Sequence, residues 1–328
     1  MRQILFAMLC LSAAVFAAES AYAQAKKPTI AVIPKGTTHE FWKSVHAGAL
    51  KAANELGVDI IWKGPLKEDD REEQIKVVEN MVIRGVAGIV LAPLDDTALR
   101  TPVANAVRGG IPVVIIDSDL KSDKHTSFVA TDNYAGGKLA GHHLAKLLDG
   151  KGRVAMLRYA EGSASTSNRE QGFLDAIKEH PGITVVSASQ YGGATTETAY
   201  KASENLLAPL KKAGTRELDG IFACNESTTF GMLRALQDAG LTGKVRFVGF
   251  DASSKLVEAL KAGHIDALTV QNPMRMGYLG VKTMVDHLSG KPVEKRVDTG
   301  VALVTKDNMN DPAVKEVLEP DLSIVDRK

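Results

Sequence analysis

Residues 29–62, TIAVIPKGTTHEFWKSVHAGALKAANELGVDIIW, read as a strand, a helix and a second strand in close succession. Thr29 to Pro34 is a short apolar run without polar alternation, the pattern of a strand buried on both faces. His39 to Leu56 carries apolar residues at helical spacing and ends at Gly57. Val58 to Trp62 is the next strand. Strands buried on both faces belong to a parallel sheet covered by helices, so this unit sets the fold class.

The same alternation continues outward. Asp70-x-x-Glu73 reads as a capping box opening a helix to about Arg84. Gly88 to Leu91 is a strand, Thr97 to Arg108 a helix and Ile111 to Ile116 a strand. The charged stretch Lys67 to Glu73 reads as a solvated loop and first helical turn. A second series places strands at 127–130, 153–158, 183–189, 219–223, 245–250 and 267–270. Helices fall at 134–148, 167–179, 197–213, 228–239 and 255–262. The expected fold is α/β, with two doubly wound parallel-sheet, Rossmann-like lobes. No low-complexity linker separates the two series, so direct crossings between lobes are expected.

The N-terminus points to export. Arg2 precedes an apolar run from Ile4 to Ala18, and Ala21-Tyr22-Ala23 offers a small-x-small cleavage pattern. A signal peptide over residues 1–23, cut near Ala23/Gln24, and a periplasmic mature chain are expected. The apolar run is short for a membrane span, and Cys10 lacks the small residues that precede a lipoprotein cysteine. Without the leader, Cys224 is the one remaining cysteine, so no internal disulfide is expected. A formal net charge of +1 leaves no electrostatic footprint for nucleic acid or an anionic membrane.

Polar residues gather just after the strands. Lys35 and His39 follow the first, with Phe41 and Trp42 opening the helix beyond. Asp117, Ser118 and Asp119 follow Ile116. Ser163, Ser165 and Arg169 lie beyond Arg158, Asn225 and Glu226 beyond Cys224. Asp251 follows Phe250, and Gln271 and Asn272 follow Val270. Strand ends of this architecture face the ligand crevice, so these groups converge in the expected fold. Carboxylates, amides and a guanidinium pair with vicinal hydroxyls, and aromatic faces cover the C–H surface of a sugar ring. Other readings stay open: Asp117 and Asp251 as caps of the following turn, His39 as a helix cap, Lys35 as a rim charge, and one of Phe41 and Trp42 as core. Cys224 reads as a small buried residue at a strand end.

Enzyme motifs fail on spacing. His39-Glu40 begins like a zincin helix, but Lys43 stands where the second histidine belongs. His142 and His143 are adjacent and point about 100° apart on a helix. Gly136-Gly137-Lys138 lacks the remaining parts of a phosphate loop. No catalytic residue, metal or cofactor is expected.

Taken together, IAVIPKGTTHEFWKSVHAGALKAANELG, IPVVIIDSDL, VATDNYAGGKLAG, GSASTSNREQGF, IFACNESTTFGMLRAL, VGFDASS and ALTVQNP resemble the periplasmic sugar-binding proteins of the ribose-binding, type I class, which serve ABC importers. The resemblance covers essentially the whole mature chain. It implies a hinge of three crossings, near Thr131/Asp132, Gln271/Asn272 and Asp298. It also implies lobes of 24–131 with 272–297 and of 132–271 with 298–328. Ligand positions of the class fall on Lys35, His39, Phe41, Trp42, Asp117 and Ser118 of the first lobe. On the second lobe and hinge they fall on Arg169, Asn225, Asp251 and Gln271. The class has a serine at Lys35, an asparagine at His39 and an arginine at Ser118, so plain ribose does not follow. The second-lobe aromatic of the class aligns near Ala194, which implies a missing or rebuilt wall. Lys35, Lys63 to Pro65 and Asp117 to Asp119 are also similar to autoinducer-2 and rhamnose-type receptors.

The resulting expectation is a monomeric receptor that clamps a sugar or polyol and presents it to an ABC permease with its ATPase. The rivals are a sensory receptor feeding a membrane kinase or chemoreceptor, and a periplasmic enzyme using His39 or Asp251 as a base.

Overall fold

A computed structural model describes residues 27–211 and 218–326. The expected leader and its cleavage point lie outside the described residues, as does the end of the helix read to Ala213. The first half runs β1 (Thr29–Ile33), α1 (Glu40–Leu56), β2 (Asp59–Trp62), α2 (Arg71–Arg84), β3 (Gly88–Leu91), α3 (Arg100–Arg108), β4 (Val113–Ile116) and β5 (Ser127–Ala130). The chain continues through α4 (Asn133–Leu147), β6 (Lys151–Leu157), α5 (Ala164–Lys178), β7 (Gly182–Ser187), α6 (Thr196–Leu207), β8 (Gly220–Ala223), α7 (Glu226–Asp238), β9 (Arg246–Phe250), α8 (Ser254–Ala262) and β10 (Ala267–Gln271). It ends with α9 (Pro273–Leu288), β11 (Arg296–Asp298), β12 (Val301–Thr305), α10 (Pro312–Leu318) and α11 (Ser323–Asp326). Among the described residues, no helix is long and apolar enough to cross a membrane.

The strands form two sheets, ordered β2-β1-β3-β4-β5-β11 and β7-β6-β8-β9-β10-β12. Each is a doubly wound α/β sheet, as read from the sequence. The order reverses at β1 in the first and at β6 in the second, which opens a crevice at the carboxyl ends of those strands. The apolar runs follow from burial on both faces. Ile30 and Val32 of β1 join one core cluster, while Ala31 and Ile33 join the cluster on the opposite face. In β8, Ile221 and Ala223 face one helical layer and Phe222 and Cys224 the other. Each such isoleucine or valine stabilises the fold by about 1.5–3 kcal/mol. Cys224 is a buried free thiol, as expected.

The second sheet departs from an all-parallel reading, because β12 pairs antiparallel with β10. The route of the chain explains this. It leaves β5 and enters the second lobe through α4, and leaves β10 and enters the first lobe through α9. A helix carries it away from the cleft, so the next strand returns parallel. From β11 it passes directly through Thr299 and Gly300 into β12, with Gly300 at φ 87°. A strand that enters at the cleft end must run opposite to its neighbours. The elements α9 to α11 and the two last strands were not legible as periodic segments.

Helices meet through glycines in both lobes. A methyl group on Gly48 of α1 would lie 1.9 Å from the Met274 carbonyl oxygen, and one on Gly277 of α9 would lie 1.9 Å from that of Val45. In the second lobe, Gly137 of α4 and Gly172 of α5 make the matching crossing, with 2.0 Å to Arg169 O and 2.2 Å to Tyr134 O. Only residues without a Cβ permit backbones this close.

Candidate ligand cleft between the lobes

The strand ends of both lobes face one another across a narrow cleft. From the first lobe it is lined by Lys35, His39, Phe41, Trp42 and Asp117, all expected from sequence. Arg169, Asn225, Asp251 and Gln271 line it from the second lobe and the hinge, again as expected. Phe41 and Trp42 both line the cleft while packing in the core behind it, with rings edge to face at 4.9 Å.

Two expected residues lie elsewhere. Ser118 is buried beside the cleft, where its Oγ accepts from the Ser165 backbone N–H at 3.0 Å. Asp119 is exposed and accepts from the Leu120 N–H at 2.8 Å. Asp117 bends the chain sharply at the strand end, so two residues later the backbone has left the crevice.

The lobes correspond position by position. Asp117 follows β4 and Asp251 follows β9, and both sit in the left-handed region at φ 62° and 69°. Aspartate tolerates this conformation better than most residues, at a cost of about 1–3 kcal/mol. Neither caps the helix that follows it. Asp117 Oδ2 pairs with Lys35 Nζ at 2.8 Å. Asp251 accepts from Gln271 Nε2 at 2.7 Å and from the Glu226 backbone N–H at 2.9 Å. Burial raises the Asp251 pKa, against the pull of Arg169.

Arg169 is 2 % exposed. It donates to Asn133 Oδ1 at 2.8 Å and to the Cys224 carbonyl at 3.1 Å, stacks 4.0 Å over the Phe250 ring and stands 3.8 Å from Asp251. The planar guanidinium is thereby fixed before any ligand is considered. Lys35 is no rim charge: besides Asp117 it donates to Ser165 Oγ at 3.0 Å and Ser163 Oγ at 3.3 Å on the opposite lobe.

Three lining residues went unread in the sequence, Glu68, Tyr159 and Thr166, while Ser165 and Glu226 were read among the strand-end groups but not matched to ligand positions of the class. Glu68 corrects the reading of 67–73 as wholly solvated, since its side chain is 8 % exposed. It accepts from His39 Nδ1 at 2.9 Å, from Trp42 Nε1, and from the Tyr159 hydroxyl at 2.6 Å. His39 is therefore no helix cap. Burial works against its charge, but the Glu68 carboxylate outweighs it and raises its pKa to about 9. Burial likewise opposes ionisation of Glu68, yet His39, Lys35 and Tyr159 hold it near 2. Glu226 is pushed up to about 7, chiefly by burial and also by Asp251.

Tyr159 is a second-lobe aromatic that lines the cleft. Ala194 is buried in the core behind β6 and does not line the cleft, whereas Tyr159 does. Tyr159 lies two residues past the end of β6, as Lys35 lies two past β1. Drawing β6 one residue too long, to Arg158, hid that signal. Ser165 and Glu226 carried the strand-end signal, and Glu68 carried none. Four buried side-chain polar atoms of the described residues lack a hydrogen-bond partner, on His125, His143, Thr269 and Gln271, and of these residues Gln271, through its Oε1, is the one that lines the cleft. Among the described residues, no group of His, Cys, Asp and Glu could hold a metal ion.

A likeness to known proteins accompanies this geometry. The chain is 31% identical over 278 residues to the ribose import binding protein of Haemophilus influenzae, covering 85% of this chain and 91% of the relative. A carbohydrate transporter solute-binding protein from Agrobacterium radiobacter, solved with D-arabinose, superimposes with a TM-score of 0.85 at 36% identity, covering 90% of this chain and 100% of that one. An ABC transporter solute-binding protein from Agrobacterium vitis with bound D-fucose gives 0.84 at 39%, covering 88% and 99%. These relatives are binding proteins by name, and the resemblance read from the strand-end motifs is borne out. Residues 30–292 match the periplasmic binding protein domain, and the chain belongs to that family.

Proposed function

We propose that this chain is an exported periplasmic receptor that captures one neutral monosaccharide or related polyol between its lobes and delivers it to an ABC permease. The observation that carries this reading is Gln271 Oε1, a buried acceptor without a protein partner, in a cleft whose other groups are already fixed. A ligand hydroxyl satisfies it where the protein does not, and an unsatisfied buried acceptor is costly. Arg169, Asn225 and Asp251 present donors and acceptors from the second lobe, while Phe41 and Trp42 of the first lobe and Tyr159 of the second supply ring faces and edges. The positive groups Lys35, His39 and Arg169 stand against Asp117, Glu68 and Asp251, and the fourth carboxyl, Glu226, is pushed up to about 7 and so only partly charged at neutral pH, a near-balance that suits an uncharged ligand.

The lobes in this reading are 24–131 with 272–297, and 132–271 with 298–328, closing by rotation about the three crossings. Ligand stabilises the closed form by its differential affinity for it. A thermal-shift screen of the mature chain against pentoses, hexoses, deoxysugars, polyols and sugar acids tests the reading. One binder at about 100 times its dissociation constant stabilises the fold by roughly 2.7 kcal/mol. No shift from any neutral sugar or polyol overturns it.

A further inference from the structure

Two helices are capped by a glutamate from the opposite lobe. The first is α1, whose own N-cap residue, His39, makes no capping bond because its ring is turned to Glu68. The orphan N–H groups of Glu40 and Phe41 donate instead to Glu226 of the second lobe, at 3.2 and 3.1 Å to its two oxygens. The second is α8, whose N-cap Ser253 also makes no side-chain cap bond. Its first residue, Ser254, donates through backbone N–H at 2.8 Å and through Oγ at 2.9 Å to the two oxygens of Glu40 on the first lobe. Each lobe thus supplies a glutamate that completes a helix of the other.

Asp132, Asn225 and Asn272 each cap the helix they precede from within their own segment. In α5, whose N-cap Ser163 makes no side-chain cap bond, the Ser165 N–H also donates across the cleft, to Ser118 Oγ of the first lobe. The reciprocal exchange of glutamates is confined to α1 and α8. A carboxylate at a helix N-terminus gains from charge-assisted bonds and from the helix dipole. Both gains exist only while the lobes are shut, since opening separates each glutamate from its helix.

We propose that Glu40 and Glu226 form a reciprocal interlobe latch, and that they are positioning residues which set sugar affinity through the closed-state population. The proposal rests on the lobe closure assumed for the sugar receptor. Glu226 also lines the cleft, so Glu40, which does not, gives the cleaner test.

Stopped-flow dissociation is measured for D-ribose, D-arabinose, D-fucose and D-allose from wild type, Glu40→Ala, Ser254→Ala and the double variant. Glu40→Ala speeds dissociation about tenfold with the association rate little changed, as expected for one lost cap. Glu40→Ala and Ser254→Ala are non-additive, a coupling between lobes that local destabilisation of either helix does not produce. Unchanged dissociation in Glu40→Ala, or strict additivity, overturns the latch. The sugar reading fails separately, in the thermal-shift screen; where none of the four sugars binds wild type, the latch is read in the free protein. Spin labels at Ile83→Cys and Lys201→Cys, both exposed, then report the interlobe distance. Loss of the shorter distance in Glu40→Ala supports the latch, and an unchanged distribution overturns it.

Discussion

Gly137 lies directly beneath Arg169: a methyl group on the glycine would meet the Arg169 carbonyl oxygen at 2.0 Å. The crossing of α4 over α5 therefore holds a cleft-lining guanidinium in place through backbone contact. Gly137→Ala must push the helices apart. Overpacking of this kind costs about 1–3 kcal/mol, which urea unfolding will read as a lower midpoint. Sugar affinity falls as well, because Arg169 moves with its helix.

Removing the guanidinium itself has a larger effect. Arg169→Leu leaves Asp251 and Asn133 without their partner in a dry site. Breaking a buried pair in this way costs about 3–5 kcal/mol. Calorimetry should register sugar affinity reduced by at least about a hundredfold. Arg169→Lys does not restore it, since an ammonium cannot reproduce the fork that reaches Asn133 and Cys224 together.

His39 and Glu226 give the closed protein a dependence on pH of defined sign. The His39 pKa rises on folding from 6.5 to about 9, so its contribution is full below pH 6.5 and is lost as pH rises through 9. The Glu226 pKa rises from 4.5 to about 7, so its contribution is full below pH 4.5 and is lost as pH rises through 7. Glu68 has the opposite sign: it contributes above pH 4.5 and ceases to as pH falls through 2. Melting temperature measured across pH 4.5–9 should therefore decline less in Glu226→Gln below pH 7 and less in His39→Gln above pH 6.5. The His39 share is on the order of 3 kcal/mol, and a wild-type slope retained in both variants contradicts the assignment.

Tyr159→Phe tests the cross-lobe bond to Glu68. The hydroxyl donates to a carboxylate, a bond worth about 1.5–3 kcal/mol. It links residues on different lobes, so its loss falls on ligand binding rather than on either lobe's core. The expected result is an affinity about ten- to a hundredfold weaker, with the urea midpoint of the free protein nearly unchanged.

Much of the site was legible because one rule applies twice. Polar residues just past β1, β4, β8 and β9 gave Lys35, Asp117, Asn225 and Asp251, and the end of β10 gave Gln271. The same rule held Tyr159, which a one-residue error in the end of β6 concealed. It failed at Asp119, where the left-handed turn at Asp117 had already carried the chain out to solvent. Glu68 had no local mark, because a charged loop residue reads the same whether it meets water or a histidine from another segment.

The sequence by itself determined the alternation of strands and helices, the double burial of the strands and the strand ends that bear chemistry. These depend on near neighbours along the chain, through periodicity and short-range capping. Only the tertiary structure decided the antiparallel course of β12, the pairing of Tyr159 with Glu68 91 residues away, and the bond of Glu40 to Ser254 across 214 residues. Those contacts follow from how two separately folded sheets come to rest against each other. No local pattern specifies that arrangement, because each partner would be equally satisfied by water until the lobes close.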